Sequence, residues 1–226
     1  MTYQEIFNEY YALYRAEAES PGPEDEEFRV GITLANEAIA RWENYDNTMW
    51  NELFTGIIQE NQSIILTEAT TYPLPNNYRH SGGSVQVVDE NGGVIKQYQM
   101  KEPQEKQFIG GMGTYSYITG NPRVGYQIRL SNVPEEAIRG KRLDMIYYSK
   151  PITISNGSSR PEMKNPRFIV HRMLAQRFRA SRNWTGFETA NRDAEDALRQ
   201  MQLENNAGTW NNAWQQKDHS GTSWGL

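Results

Sequence analysis

The stretch "SIILTEATTYPLPNNYRHSGGSVQVVDENGGVIKQYQM", residues 63–100, is where the chain changes its period. Before it, apolar residues recur at three- and four-residue steps. From Ile57 onward they alternate, and β-branched and aromatic types take over, which is the pattern of half-buried strands. "YPLPNNY" interrupts the alternation. Pro73 and Pro75 remove backbone donors and so stop a strand from pairing further, while Leu74 between them is free to point inward. Asn76 and Asn77 turn the chain. "TTYPLPNNYR" (70–79) lacks the acid, base or nucleophile a catalytic loop would need, so it reads as punctuation in a sheet at a surface that meets a neighbour. "DENGGV" (89–94) then supplies the positive φ of a tight hairpin.

Strand texture continues outward in "TYSYITG", "VGYQIRLS" and "LDMIYYSK", with "GNPR" (120–123) as a further turn. Six strands are expected between residues 55 and 155, as an antiparallel sheet or small sandwich. On the N-terminal side, Tyr3, Ile6, Phe7, Tyr10, Leu13 and Tyr14 form a helical aromatic stripe, ended by "SPGPEDEE". A longer helix is expected from about Glu24 to Leu53 on Phe28, Ile32, Ala35, Ile39, Trp42, Met49 and Leu53. On the C-terminal side, Asn165-Pro166 fits a helix start, with Phe168, Val170, Met173, Leu174 and Phe178 as its apolar face. Thr185 and Glu188 have capping-box spacing for a last helix. The expected fold class is therefore α+β: a bundle of about four helices (1–54 and 156–204), an inserted antiparallel β domain (55–155) and an extended C-terminal tail (205–226).

Composition narrows the chemistry. The 226 residues carry a net charge of −5 and a mean hydropathy of −0.79, yet 12% are aromatic, with 13 Tyr and 6 Trp. Such a chain folds and presents large contact surfaces, because Tyr and Trp join apolar area to a polar tip. The absence of cysteine excludes disulfides, thiolate metal sites and a cysteine nucleophile. No run approaches the 18 apolar residues of a membrane span, and the acidic, amphipathic start does not read as a signal peptide. His80, His171 and His219 show no ligand spacing and are expected as surface or packing residues. "GGMGT" (110–114) lacks the spacing and the following Lys of a phosphate loop. No catalytic, metal or cofactor residue is expected. Paired carboxylates, as in a hydrolase, stay open because such pairs converge in space and not in sequence.

Two features stand out. Residues 1–30 hold eight acids against two bases, and residues 160–182 hold seven bases against Glu162. The basic segment, with Arg167, Arg172, Arg177, Arg179 and Arg182, suits a subunit interface, a DNA channel or an intrachain match to the acidic start. Three of the six tryptophans, Trp210, Trp214 and Trp224, lie in the last 17 residues. They fit anchors of a segment that orders against a partner.

In order and texture the chain resembles the head–tail adaptor (connector, or head-completion) proteins of tailed bacteriophages. The likeness rests on "LANEAIARWENYDNTMWNELF", "SIILTEATTYPLPNNYRHSGGSVQV", "RLDMIYYSKPITIS", "PRFIVHRMLAQRFRASRNW" and "TANRDAEDALRQMQ", across roughly residues 2–204. The Gly-rich middle, residues 102–126, departs from it. The resemblance implies a non-enzymatic virion protein, made in the host cytoplasm, that forms a homo-oligomeric (commonly dodecameric) ring. That ring joins the portal protein to the tail or next neck protein, with packaged DNA passing through it and no membrane partner. Trp210, Trp214 and Trp224 stand where the family's C-terminal portal-docking extension lies. A virion cell-wall hydrolase and a nucleic-acid-binding module are the alternatives.

Overall fold

The computed structural model describes residues 1–15, 19–60, 62–102 and 113–219, with side chains as far as residue 207. Two compact units divide it: Met1–Glu52 with Pro151–Leu226, and Leu53–Lys150.

The first unit is helical. Helix α1 (Tyr3–Tyr14) opens with a capping box, in which Glu5 N donates to Thr2 Oγ1 and Thr2 N donates to the Glu5 carboxylate. Its aromatic stripe is buried at Tyr3, Ile6, Phe7, Tyr10 and Tyr11, but Leu13 is 57% exposed. Helix α2 (Glu26–Glu43) buries Phe28, Gly31, Ala35, Ala38, Ile39 and Trp42. It stops ten residues short of the expected Leu53, because Asp46 and Asn47 adopt positive φ (46° and 52°). Short polar side chains tolerate that left-handed geometry. The reversal brings Trp50 back onto the helix end: its Nε1 donates to the Trp42 carbonyl at 2.8 Å, and the two indoles stack at 5.3 Å.

Helices α3 (Arg167–Ala180) and α4 (Trp184–His219) form a tight hairpin. Asn165 caps α3 by accepting from Arg167 N. At the other end Asn183 N donates to Phe178 O and Arg182 N to Arg179 O, with Arg182 at φ 58°. This is the Schellman arrangement, with arginine where glycine is usual. Asn183 then caps α4 by accepting from Gly186 N at 3.0 Å. The Thr185–Glu188 capping box is thus replaced by a cap two residues earlier. Helix α3 is central, with α1, α2 and α4 each packed on it.

The second unit is an eight-stranded sheet: β1 (Phe54–Gly56), β2 (Ile64–Ile65), β3 (Thr71–Pro73), β4 (Tyr78–Val88), β5 (Val94–Met100), β6 (Tyr115–Asn121), β7 (Gly125–Leu130) and β8 (Arg142–Ser149). Its order is β1-β8-β4-β5-β6-β7-β3, with β2 also on β8. Val85, Val87, Tyr98, Ile128, Leu130, Leu143, Met145 and Tyr147 are among the residues of its continuous core. The β4–β5 hairpin turns at Gly92 (φ 84°), and the Asp89 carboxylate accepts from Asn91 N and Gly93 N. "SGG" does not end a strand as a turn would. It lies inside β4, where the register against β8 shifts. A Cβ at Gly82 would come within 2.8 Å of the Phe54 ring, so a small residue is needed where the bulge brings β1 close.

The expected helical bundle with an inserted antiparallel β domain is corrected here. Among the described residues the chain is α+β, roughly 40% helix and 24% strand, with four α-helices and a mixed sheet curled into a half-barrel. The sheet is mixed because β5 and β6 pair in parallel, Gln99 opposite Tyr115 and Met100 opposite Ser116. Residues 101–114 separate them, long enough for a crossover in place of a hairpin. The helices gather around α3, and the sheet has a core of its own. The expected extended tail is also corrected, since the backbone from 205 to His219 continues α4.

Candidate interaction surfaces

The quoted proline stretch forms one rim of a cleft. Strand β3 lies at one edge of the sheet, and Pro73 ends it as Leu74 N makes one last bond to Tyr126 O at 2.9 Å. Leu74 is buried, as its position between two prolines leads one to expect. The cleft, about 320 Å³, is lined by Leu74, Pro75, Asn76, Arg123, Tyr126 and Lys150. Asn77 beside it accepts from the Tyr147 hydroxyl at 3.0 Å. Burial pushes the phenols of Tyr78 and Tyr147 up to about 12. Both hydroxyls are therefore neutral near pH 7 and act as hydrogen-bonding groups. Among the described residues, the charged lining of this cleft is Arg123 and Lys150.

The basic segment is largely matched within the chain. Arg167 pairs with Glu9 at 3.2 Å. Arg177 Nε donates to the Tyr10 hydroxyl at 3.0 Å, and its guanidinium pairs with Glu27 at 3.4 Å. Burial raises the Tyr10 phenol, and the guanidinium opposes that shift. Arg172 donates to Asn191 on α4 at 2.8 Å. Arg179 and Arg182 sit at the exposed C-terminal end of α3 and in the turn beyond it. Opposite charge in residues 1–30 and 160–182 thus registers α1 and α2 against α3, a use of arginine's fork that sequence segregation signals without locating.

Toward the C-terminus, α4 is held by a polar clamp that sequence reading missed. Asn205 is 3% exposed; its side-chain oxygen accepts from Asn51 N at 2.8 Å, and its Nδ2 donates to Met49 O at 2.9 Å. One turn earlier, Gln202 donates to Thr48 Oγ1 at 3.0 Å and to Asp46 at 3.1 Å. The partners come from the segment that α2's early stop releases, so an asparagine-rich stretch alone carried no such signal. Asn205 is the last buried side chain among the described residues. Trp210 and Trp214 follow on the helical backbone of α4, with side chains outside the described ones, and Trp224 lies outside the described residues.

A second cleft, about 360 Å³, opens between Leu13 of α1, Leu174 and Phe178 of α3, and Gly186, Thr189 and Ala190 of α4. His171 and Asp193 also line it, which places one expected packing histidine. His80 lies on β4 and His219 is the last residue of α4. Among the described residues no three His, Cys, Asp or Glu side chains gather as a metal site. Among them, too, no helix is long and apolar enough to cross a membrane. Of "GGMGT", residues 110–112 lie outside the described ones. Neither a scan of protein-family models nor a search of curated proteins gave a match to this chain.

Proposed function

We propose that this protein is a structural adaptor of a tailed-bacteriophage neck, non-enzymatic, assembling as a ring that joins the portal protein to the tail or next neck component. In this reading the ring helps to close the DNA-filled head, and the protein resides in the virion. The observation that carries the proposal is the course of α4. The helix is locked at Asn205 and then continues to His219, a rise of about 21 Å at 1.5 Å per residue. Trp210 and Trp214 stand four residues apart in the sequence of that extension. Closely spaced aromatic anchors suit a hydrophobic groove of a partner. The order of sequence motifs described above supplies the partner's class.

The test is truncation. Asn205 belongs to the folded clamp, so the cut is made after Ala207. The shortened chain should keep its urea-unfolding midpoint, lose only the helix signal of the residues removed, and lose co-sedimentation with portal rings. Unchanged co-sedimentation would sink the proposal.

A further inference from the structure

We infer that the cleft between α1, α3 and the start of α4 receives Trp224 of a second copy of this chain. The cleft is apolar where it is deepest. Leu174 and Ala190 are 5% exposed at its base, and Leu13 stands 57% exposed at its edge, the one member of the α1 stripe left uncovered to that extent. Gly186 widens it, since a Cβ there would meet the Phe178 ring at 3.0 Å. At about 360 Å³ it lies at the small end of pockets that bury a compact ligand. An indole suits such a site, because one side chain brings a large apolar area and a single N–H donor. Asp193 in the lining is an acceptor for that donor. Trp224 is flanked by "SGTS" and "GL", which carry no charge to be desolvated.

Reach assigns the occupant to another copy. From Thr189 in the cleft to His219, α4 rises about 45 Å at 1.5 Å per residue. The five residues from His219 to Trp224 span at most about 17 Å when fully extended. Trp224 therefore falls tens of ångströms short of its own cleft, whatever path it takes. A segment of one copy in a cleft of the next is a head-to-tail contact, which closes into a ring when the rotation permits. The inference rests on the adaptor reading for that closure and deepens it by naming the link between neighbours.

Complementation tests it on the full chain. Thr189→Arg fills the cleft from an exposed helical position and leaves the tail intact. Trp224→Ala removes the anchor and leaves the cleft open. Each variant should keep wild-type circular dichroism but sediment as a monomer where wild type assembles. Mixed, they should form a one-to-one dimer and nothing larger, because only one cleft and one anchor remain. The inference is overturned if either variant assembles like wild type, if the mixture stays monomeric, or if wild type is itself monomeric at every concentration. It is also overturned if Thr189→Arg leaves assembly intact and abolishes portal binding, which would make the cleft a portal site. Portal anchoring is read separately with W210A/W214A. That variant should assemble normally and fail to bind portal, so failure of the ring link and failure of the adaptor reading give different results.

Discussion

Gly31→Ala sets local helix preference against tertiary packing. Gly31 lies inside α2, where alanine is favoured over glycine by about 1 kcal/mol. The structure opposes the change. A Cβ at this position would sit 2.5 Å from the Tyr3 hydroxyl and 2.6 and 2.8 Å from two carbons of the Phe7 ring. Both side chains are fully buried. Tyr3 donates to the Phe28 carbonyl at 3.0 Å, and Phe7 meets the Phe28 ring edge-on at 4.8 Å. Relieving the overlap therefore means displacing α1, at about 1–3 kcal/mol for an overpacked core, and loosening a buried hydrogen bond, at about 1–3 kcal/mol. After the propensity gain, a net loss of about 1–5 kcal/mol is expected. Urea unfolding followed by circular dichroism should show a lower midpoint with an unchanged slope. Thr33→Ala, at an exposed position of α2, is the control and should raise stability by a few tenths of a kcal/mol. Adding Tyr3→Phe removes the nearest clashing atom, so the double variant should be more stable than the two single losses add to. Gly31→Ala unfolding at or above the wild-type midpoint would refute the packing argument.

Three further predictions address other elements. Arg182→Gly relieves a left-handed residue in the α3–α4 turn and should stabilise by about 0.5–1 kcal/mol in thermal melts; a lower melting temperature would refute the strain. Asn205→Ala leaves Asn51 N and the Met49 carbonyl without this partner and should cost about 2 kcal/mol. A chain cut after Glu204 should match that loss in urea, whereas one cut after Ala207 should not. Tyr78 and Tyr147 titrate at about 12, against 10.0 for an ordinary phenol. Below pH 10 both are protonated whether folded or unfolded, so their contribution is fully present. Above it the unfolded chain releases these protons first, and stability falls by up to about 1.4 kcal/mol per pH unit for each tyrosine until pH 12. Absorbance titration should show a group of late phenols, since burial also raises Tyr3, Tyr10 and Tyr98, and Tyr78→Phe and Tyr147→Phe should each remove one from that group; loss of stability that does not change with either variant would contradict the burial argument.

Local signals carried much of the element map. The period change after Ile57, the "DENGG" hairpin, the α1 stripe and the Pro73–Pro75 strand stop are each decided by neighbours within a few residues, and each is found where the pattern puts it. The misread features depend on partners far away. The α2 pattern runs on toward Leu53, yet the helix ends at Glu43, and Trp50 turns back to stack on Trp42. The asparagine-rich stretch after Glu204 has no apolar period, yet Asn205 is locked by backbone groups at Met49 and Asn51.

By itself, then, the sequence determined the α+β class, the absence of thiol chemistry, most strands and the first turn of most helices, because period, proline, glycine and capping act locally. Tertiary structure alone decided the parallel β5–β6 pair, the order of strands in the half-barrel, the gathering of helices on α3 and the pairing of Arg167 and Arg177 with the acidic start. It also decided the helical course of the C-terminal segment. Those features are settled by which distant groups are left to satisfy one another once the local elements exist, and residue order does not state that choice.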